Sequence, residues 1–133
     1  MDCVTYDPYT LPTIEFVGGE KQDFIFNLFF HSEDKPLIMY NVAAQFSVVS
    51  YLNKNGAAIL TKAMAAVKDA NGMFTNSLSV TLTPEDTVGL SGKFIYQITI
   101  RDKDTGTVEI PKQGIMLVIN NIDKGFISAN RGV

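Results

Sequence analysis

Hydrophobic and polar residues alternate along most of this chain. The clearest run is Leu78-Ser79-Val80-Thr81-Leu82-Thr83, apolar on one side and hydroxylic on the other. A strand with one buried face reads this way because successive side chains point to opposite faces of the sheet. The pattern returns at Phe94, Tyr96, Ile98 and Ile100, and again at Val42, Ala44, Phe46 and Val48, which alternate with Ala43, Gln45, Ser47 and Val49. The stretch Phe24 to Phe30 is apolar on both faces near its end, which predicts a central strand covered on both sides. Lys112 to Ile119 predicts a last strand with Ile115, Leu117 and Ile119 on one side. The predicted core is therefore Phe26, Phe46, Leu78, Val80, Leu82, Tyr96, Ile98 and Leu117.

Turn residues punctuate these runs. Asn55-Gly56 and Asn71-Gly72 predict type I′ hairpins, since both residue types accept positive φ. Asp102-Lys103-Asp104-Thr105-Gly106 separates two further runs, and Glu33-Asp34-Lys35-Pro36 another two. Ala57 to Asp69 is alanine-rich, and Leu60, Met64 and Val67 would line one face of a helix; its place between two hairpin signals predicts a strand instead. Thr83-Pro84-Glu85-Asp86 has a capping threonine, a proline suited to the first helical position and an acid able to reach back. It predicts one helical turn crossing between sheets, after which Gly89 and Gly92 release the chain. The fold class that results is all-β, a two-sheet sandwich with one short helical turn. Residues 13–122 form the sandwich, 1–12 an N-terminal arm or edge strand, and 123–133 a C-terminal tail.

Composition narrows the function classes. The chain has 133 residues, a common size for one domain, and is 46% hydrophobic with nine Phe and five Tyr, enough for one core. Eleven basic residues scattered singly in a chain of net charge −3 make no basic stripe, so no nucleic-acid partner is expected. The longest apolar run is too short for a membrane span, and the N-terminus has no signal-peptide pattern. Synthesis in a cytoplasm is the expectation. Cys3, the one cysteine, excludes an intramolecular disulfide and a multi-cysteine zinc site.

The candidate chemistry reduces to structural readings. His31 beside Ser32, Glu33 and Asp34 has the parts of a general base with an orienting carboxylate, but a polar turn explains them and no Gly-x-Ser-x-Gly elbow accompanies them. Asp102 to Gly106 starts like a calcium loop and fails where Gly106 takes the third ligand position. Glu85 and Asp86 are neighbours on a capping turn, whereas glycoside hydrolysis needs carboxylates flanking a substrate. Val17-Gly18-Gly19-Glu20 lacks the lysine of a phosphate loop. Tyr6, Tyr9, Tyr40 and Tyr51 could make a sugar platform or pack at the rim. No catalytic residue, cofactor or metal ligand is expected. The ends of the chain remain. Val4, Tyr6, Tyr9 and Leu11 on one side, with Phe126 and Ile127 on the other, are apolar positions outside the predicted core. They are the candidate partner-binding residues. An alternative makes residues 3–6 the sandwich's first edge strand.

From about Thr13 to Ile122 the order of features resembles the N-terminal immunoglobulin-like domain of phage baseplate upper proteins. The residues that carry it are the apolar strand from Asp23 to Phe30, Glu33-Asp34-Lys35-Pro36-Leu37, and Asp69-Ala70-Asn71-Gly72. After the Leu-x-Val-x-Leu strand come Thr83-Pro84-Glu85-Asp86 and Leu90-Ser91-Gly92-Lys93-Phe94, which leads into the Tyr96 to Arg101 strand. A Gly106 hairpin then closes on Gly114-Ile115-Met116-Leu117-Val118-Ile119. The resemblance implies an immunoglobulin-like antiparallel sandwich in a virion structural protein. Such a protein is assembled in the host cytoplasm and docks onto other tail or baseplate proteins, with a homo-oligomer possible. Members of that family usually continue into helical and receptor-binding regions. The stop at Val133 makes docking the expected role rather than direct receptor binding. The alternative is a carbohydrate-binding or adhesin-type sandwich.

Overall fold

The computed structural model describes residues 11–28, 38–110 and 113–130, with backbone alone for 128–130. In chain order its elements are β1 (Ile14–Val17), β2 (Gln22–Asn27), β3 (Val42–Ser50), a 3₁₀ turn (Tyr51–Asn53), β4 (Leu60–Ala63) and β5 (Ala65–Lys68). There follow β6 (Phe74–Leu82), α1 (Pro84–Thr87), β7 (Gly92–Asp102), β8 (Val108–Glu109), β9 (Gly114–Ile119) and α2 (Lys124–Asn130). One sheet runs β1-β9-β7-β3-β4 with β8 against β7, and the other runs β2-β6-β5. The protein is an all-β, two-sheet sandwich. Reading β2, β3, β4, β5, β6, β7 and β9 as B, C, C′, D, E, F and G reproduces the immunoglobulin order, B-E-D facing G-F-C-C′.

The core forms where the predicted faces meet. Phe26 on β2, Phe46 on β3 and Tyr96 on β7 stack between the sheets, with ring centroids 5.3 to 6.4 Å apart. Antibody-type domains place a tryptophan against a disulfide between strands B and F at this point. Here three aromatic rings fill the space without a cross-link. Leu78, Val80, Leu82 and Ile98 are buried as predicted. The Tyr96 hydroxyl donates to the Pro12 carbonyl, which ties the entering chain to the central strand. Burial pushes its phenol pKa well above the usual value. Gly114 opposes Tyr96 across β7 and β9, and a Cβ there would lie 2.5 Å from the ring. Only glycine fits.

Several local predictions hold. The Ala57 to Asp69 stretch is extended, as β4 and β5, and the chain passes from one sheet to the other at Met64. Met64 N–H still donates to Ala44 O at 3.0 Å, so the crossing costs little pairing. The crossover helix α1 links the two sheets. Asp86 Oδ2 accepts from Thr83 N–H at 2.8 Å, and Asp86 N–H donates to Thr83 O at 3.0 Å. The Asp102 turn closes with Gly106 N–H on Asp102 O at 2.8 Å and with Gly106 at φ 77°.

Other expectations are corrected. Leu117 is half-buried on the outer face of β9; Met116 and Val118 point inward instead, and Ile119 is exposed. The run Ile-Met-Leu-Val-Ile is apolar on both faces, so alternation carries no parity. Pairing of Phe94 with Met116 decides it. Among the described residues β2 is an edge strand of the three-stranded sheet rather than a central one, and Ile25 on its outer side is exposed. The sandwich is not wholly antiparallel: β1 runs parallel to β9, pairing Ile14 with Met116 and Phe16 with Val118. Strands that far apart in sequence meet through the fold, and no turn announces them.

Neither Asn-Gly pair makes a type I′ turn. Asn71 is not left-handed; Gly72 alone has positive φ, and Gly72 N–H closes on Asp69 O at 3.0 Å. That is a three-residue hairpin loop. Gly56 closes on Asn53 after the 3₁₀ turn, in a longer connection. The C-terminal tail is also not plain tail, since Lys124–Asn130 is helical, which makes two short helices among the described residues rather than one.

Candidate docking surfaces

Of the sequence-derived partner-binding residues, Val4, Tyr6 and Tyr9 lie outside the described residues, as do Cys3 and His31. Leu11 does not sit on a free arm. It is 6% exposed and belongs to the core cluster with Ile14 and Phe16.

Phe126 and Ile127 separate. Ile127 packs over the β1–β2 turn: a Cβ on Gly19 would lie 2.7 Å from its Cδ1. Gly19, at φ 91°, is the residue that leaves room for it. The segment leading to α2 is stitched to the same turn, because Asn121 Nδ2 donates to Gly18 O at 2.7 Å. Gly19 N–H in turn donates to the fully buried Thr87 hydroxyl oxygen at 2.9 Å. The exit of the chain is therefore held against β1 and α1. Outward from this anchored end point Ile119, Ile122 and Phe126, the last two 88% and 70% exposed.

Two of the four tyrosine candidates are described. Tyr40 meets Phe74 edge-on at 5.5 Å, and Lys68 sits 4.7 Å over that phenylalanine ring. Tyr51 carries two ammonium groups, Lys93 at 4.0 Å and Lys54 at 4.6 Å from its centroid. Asp86 is engaged as a cap and as the partner of Lys62, Nζ to Oδ2 at 2.9 Å. Burial works to raise its carboxyl pKa, but the Thr83 donors and the Lys62 charge together hold it below the usual carboxylate range. Asp102 Oδ1 accepts from the backbone of Asp104 at 2.8 Å and of Thr105 at 3.2 Å, as a turn-capping acid does. Among the described residues no group of three His, Cys, Asp or Glu side chains is placed to hold a metal ion. No helix among them is long and apolar enough to cross a membrane.

A second surface was not singled out in the sequence. The outer face of the larger sheet holds two shallow hollows of about 310 and 370 Å³, which share Gln45 and Thr99. Across β3 and β7, Ser47 pairs with Gln97 and Gln45 with Thr99. Gln113 Nε2 donates to Gln97 Oε1 at 2.9 Å, Gln97 Nε2 to Thr99 Oγ1 at 3.0 Å, and Gln45 Nε2 to Ser47 Oγ at 3.2 Å. The available signal lay in the outward half of each alternating run. Those positions carry neutral amides and hydroxyls where a purely solvated face favours charge.

No family model matches the chain, and no curated protein matches it.

Proposed function

We propose that this sandwich is a non-enzymatic assembly module of a phage or prophage tail or baseplate. It docks onto other virion components, having been assembled with them in the host cytoplasm. The observation that carries the docking role is the anchored chain exit, where Ile122 and Phe126 stand exposed on a segment tied down by Asn121 and Ile127. Burying such a side chain is worth about 1.5–3 kcal/mol. A rigid segment gains that energy on binding without the ordering cost of a loose tail. The immunoglobulin-like strand order and the sequence resemblance together support placing the module in a tail structure.

Two measurements test the reading. A gold-labelled antibody against the domain should decorate the tail or baseplate of virions in electron micrographs; bare tails would sink the placement. Replacing Ile122 and Phe126 together with Asp should abolish association with tail components or with itself in sedimentation, while leaving the melting temperature nearly unchanged. Unaltered association would sink the docking role of this end.

A further inference from the structure

The two hollows on the larger sheet form one trough along β3 and β7. From the Val49–Ile95 pair to the Ala43–Arg101 pair it runs six residue steps, about 20 Å at the usual strand rise. Its floor is apolar (Ala43, Val49, Ala58 and Ile95, with Gly56 beside them), and neutral hydrogen-bonding side chains stand along it. A cation stands at each end, Arg101 at one and Lys54 at the other, and among the described residues no acidic side chain lines either hollow. In a chain of net charge −3 that is a local inversion of sign.

The polar groups are braced before any ligand arrives. Each glutamine amide offers two donors and two acceptor lone pairs. The Gln113–Gln97–Thr99 chain and the Gln45–Ser47 pair use only part of that capacity. The rest faces outward from side chains already held in place, which lowers the entropic cost of using it. At the Lys54 end the Tyr51 ring holds two ammonium groups, Lys54 and Lys93, in one place.

Those features select among occupants. An extended peptide binds through backbone hydrogen bonds to a sheet edge or through side-chain pockets. Here the backbone of β3 is paired on both sides, by β4 and β7, and the floor has no deep pocket. A protein interface needs an apolar, desolvated centre, whereas the centre here is amide and hydroxyl. A linear sugar chain presents hydroxyls that match fixed amides and C–H faces that match the aliphatic side chains of the floor. Anionic substituents would meet the cations at the ends.

We propose that the trough binds a linear glycan carrying carboxylate groups. The inference rests on the sheet face alone and stands apart from the assembly role of the chain exit. The test is a titration of the full-length chain, followed by amide nitrogen–proton correlation spectra. The probes are a galacturonate hexamer, the same hexamer fully methyl-esterified, and hexaglutamate. The acidic hexamer should shift the backbone signals of Gln45, Ser47, Gln97 and Thr99 and the side-chain amides of Gln97 and Gln113. Esterification should weaken binding at least fivefold, and hexaglutamate should leave the trough unmoved. Gln97→Ala and Arg101→Ala, both on the solvent side of β7, should each weaken binding at least fivefold with undiminished spectral dispersion. Lack of shifts at millimolar hexamer would overturn the proposal, as would shifts centred elsewhere. Equal shifts with hexaglutamate would reduce the trough to a site for acidic protein segments and would equally overturn it.

Discussion

Tyr96 shows how one residue can combine several constraints. Its ring packs against both Phe26 and Phe46, its hydroxyl reaches Pro12, and its edge admits nothing larger than glycine at position 114. Gly114→Ala should therefore lower the melting temperature markedly, because backbone or ring must move to relieve a 2.5 Å contact; an unchanged melting curve would mean that the ring gives way freely. Phe46→Ala and Ile98→Ala, both fully buried, should each cost about 2–5 kcal/mol in chemical denaturation. The same experiment checks the parity of β9. Met116→Ala should cost clearly more than Leu117→Ala, since Met116 is fully buried and Leu117 only partly. Equal losses would contradict the register.

Asp86 gives the residue scale its pH dependence. Its folded pKa lies below the unfolded one. The charged form is thus the better bound, and the stabilisation is complete above the unfolded value of about 3.9. It is lost as pH falls below that value and through the folded pKa. Denaturation of the wild type and of Asp86→Asn from pH 7 to 2 should show the gap between them narrowing only in that acid range. A gap independent of pH would mean that the charge contributes nothing.

At the scale of elements, local chemistry was the most legible. The capping turn at Thr83 to Asp86 could be read because the donors and acceptors of a box lie within four residues. Asp86→Ala should lower the melting temperature, because it removes both the acid that reaches back to the Thr83 N–H and the Lys62 contact; an unchanged melting curve would mean that the box is dispensable. The Asp102 hairpin was legible for the same reason. Its Oδ1 is already taken by two backbone amides, so millimolar calcium should leave the melting temperature where it is; a clear rise would reveal a bound ion. Both Asn-Gly pairs lie in turns, but neither turn is of type I′. Turn geometry also depends on how the flanking strands are already paired, as Asp69 with Met73 shows.

At the scale of the molecule, Leu11 and Pro12 tie the start of the described chain into the core. A chain lacking residues 1–12 loses Leu11 from the core and the Pro12 carbonyl from Tyr96. A chain lacking residues 1–10 keeps both. The longer deletion should be the less stable of the two by an amount typical of emptying a core position, about 2–5 kcal/mol. Equal stability would mean that Leu11 packs without consequence. The strand order also explains the usable surfaces. Sheets that bury one face leave the other to solvent, and on the larger sheet that outer face is where the trough lies.

The sequence by itself determined that β2, β3, β6, β7 and β9 are strands, where most of the turns fall, and which way β3, β6 and β7 face. In each of those strands one face is apolar and the other largely polar, and a period of two then has only one reading. It also determined the cap of the crossover helix, a contact between near neighbours. The tertiary structure alone decided the parity of β9, the edge position of β2, the parallel pairing of β1 and the seat of Ile127 on Gly19. It alone gathered Gln45, Gln97 and Gln113 onto one face. Each of these is a choice between strands distant along the chain, made by the packing of two sheets. A residue's own neighbours carry no record of the strand that will lie beside it.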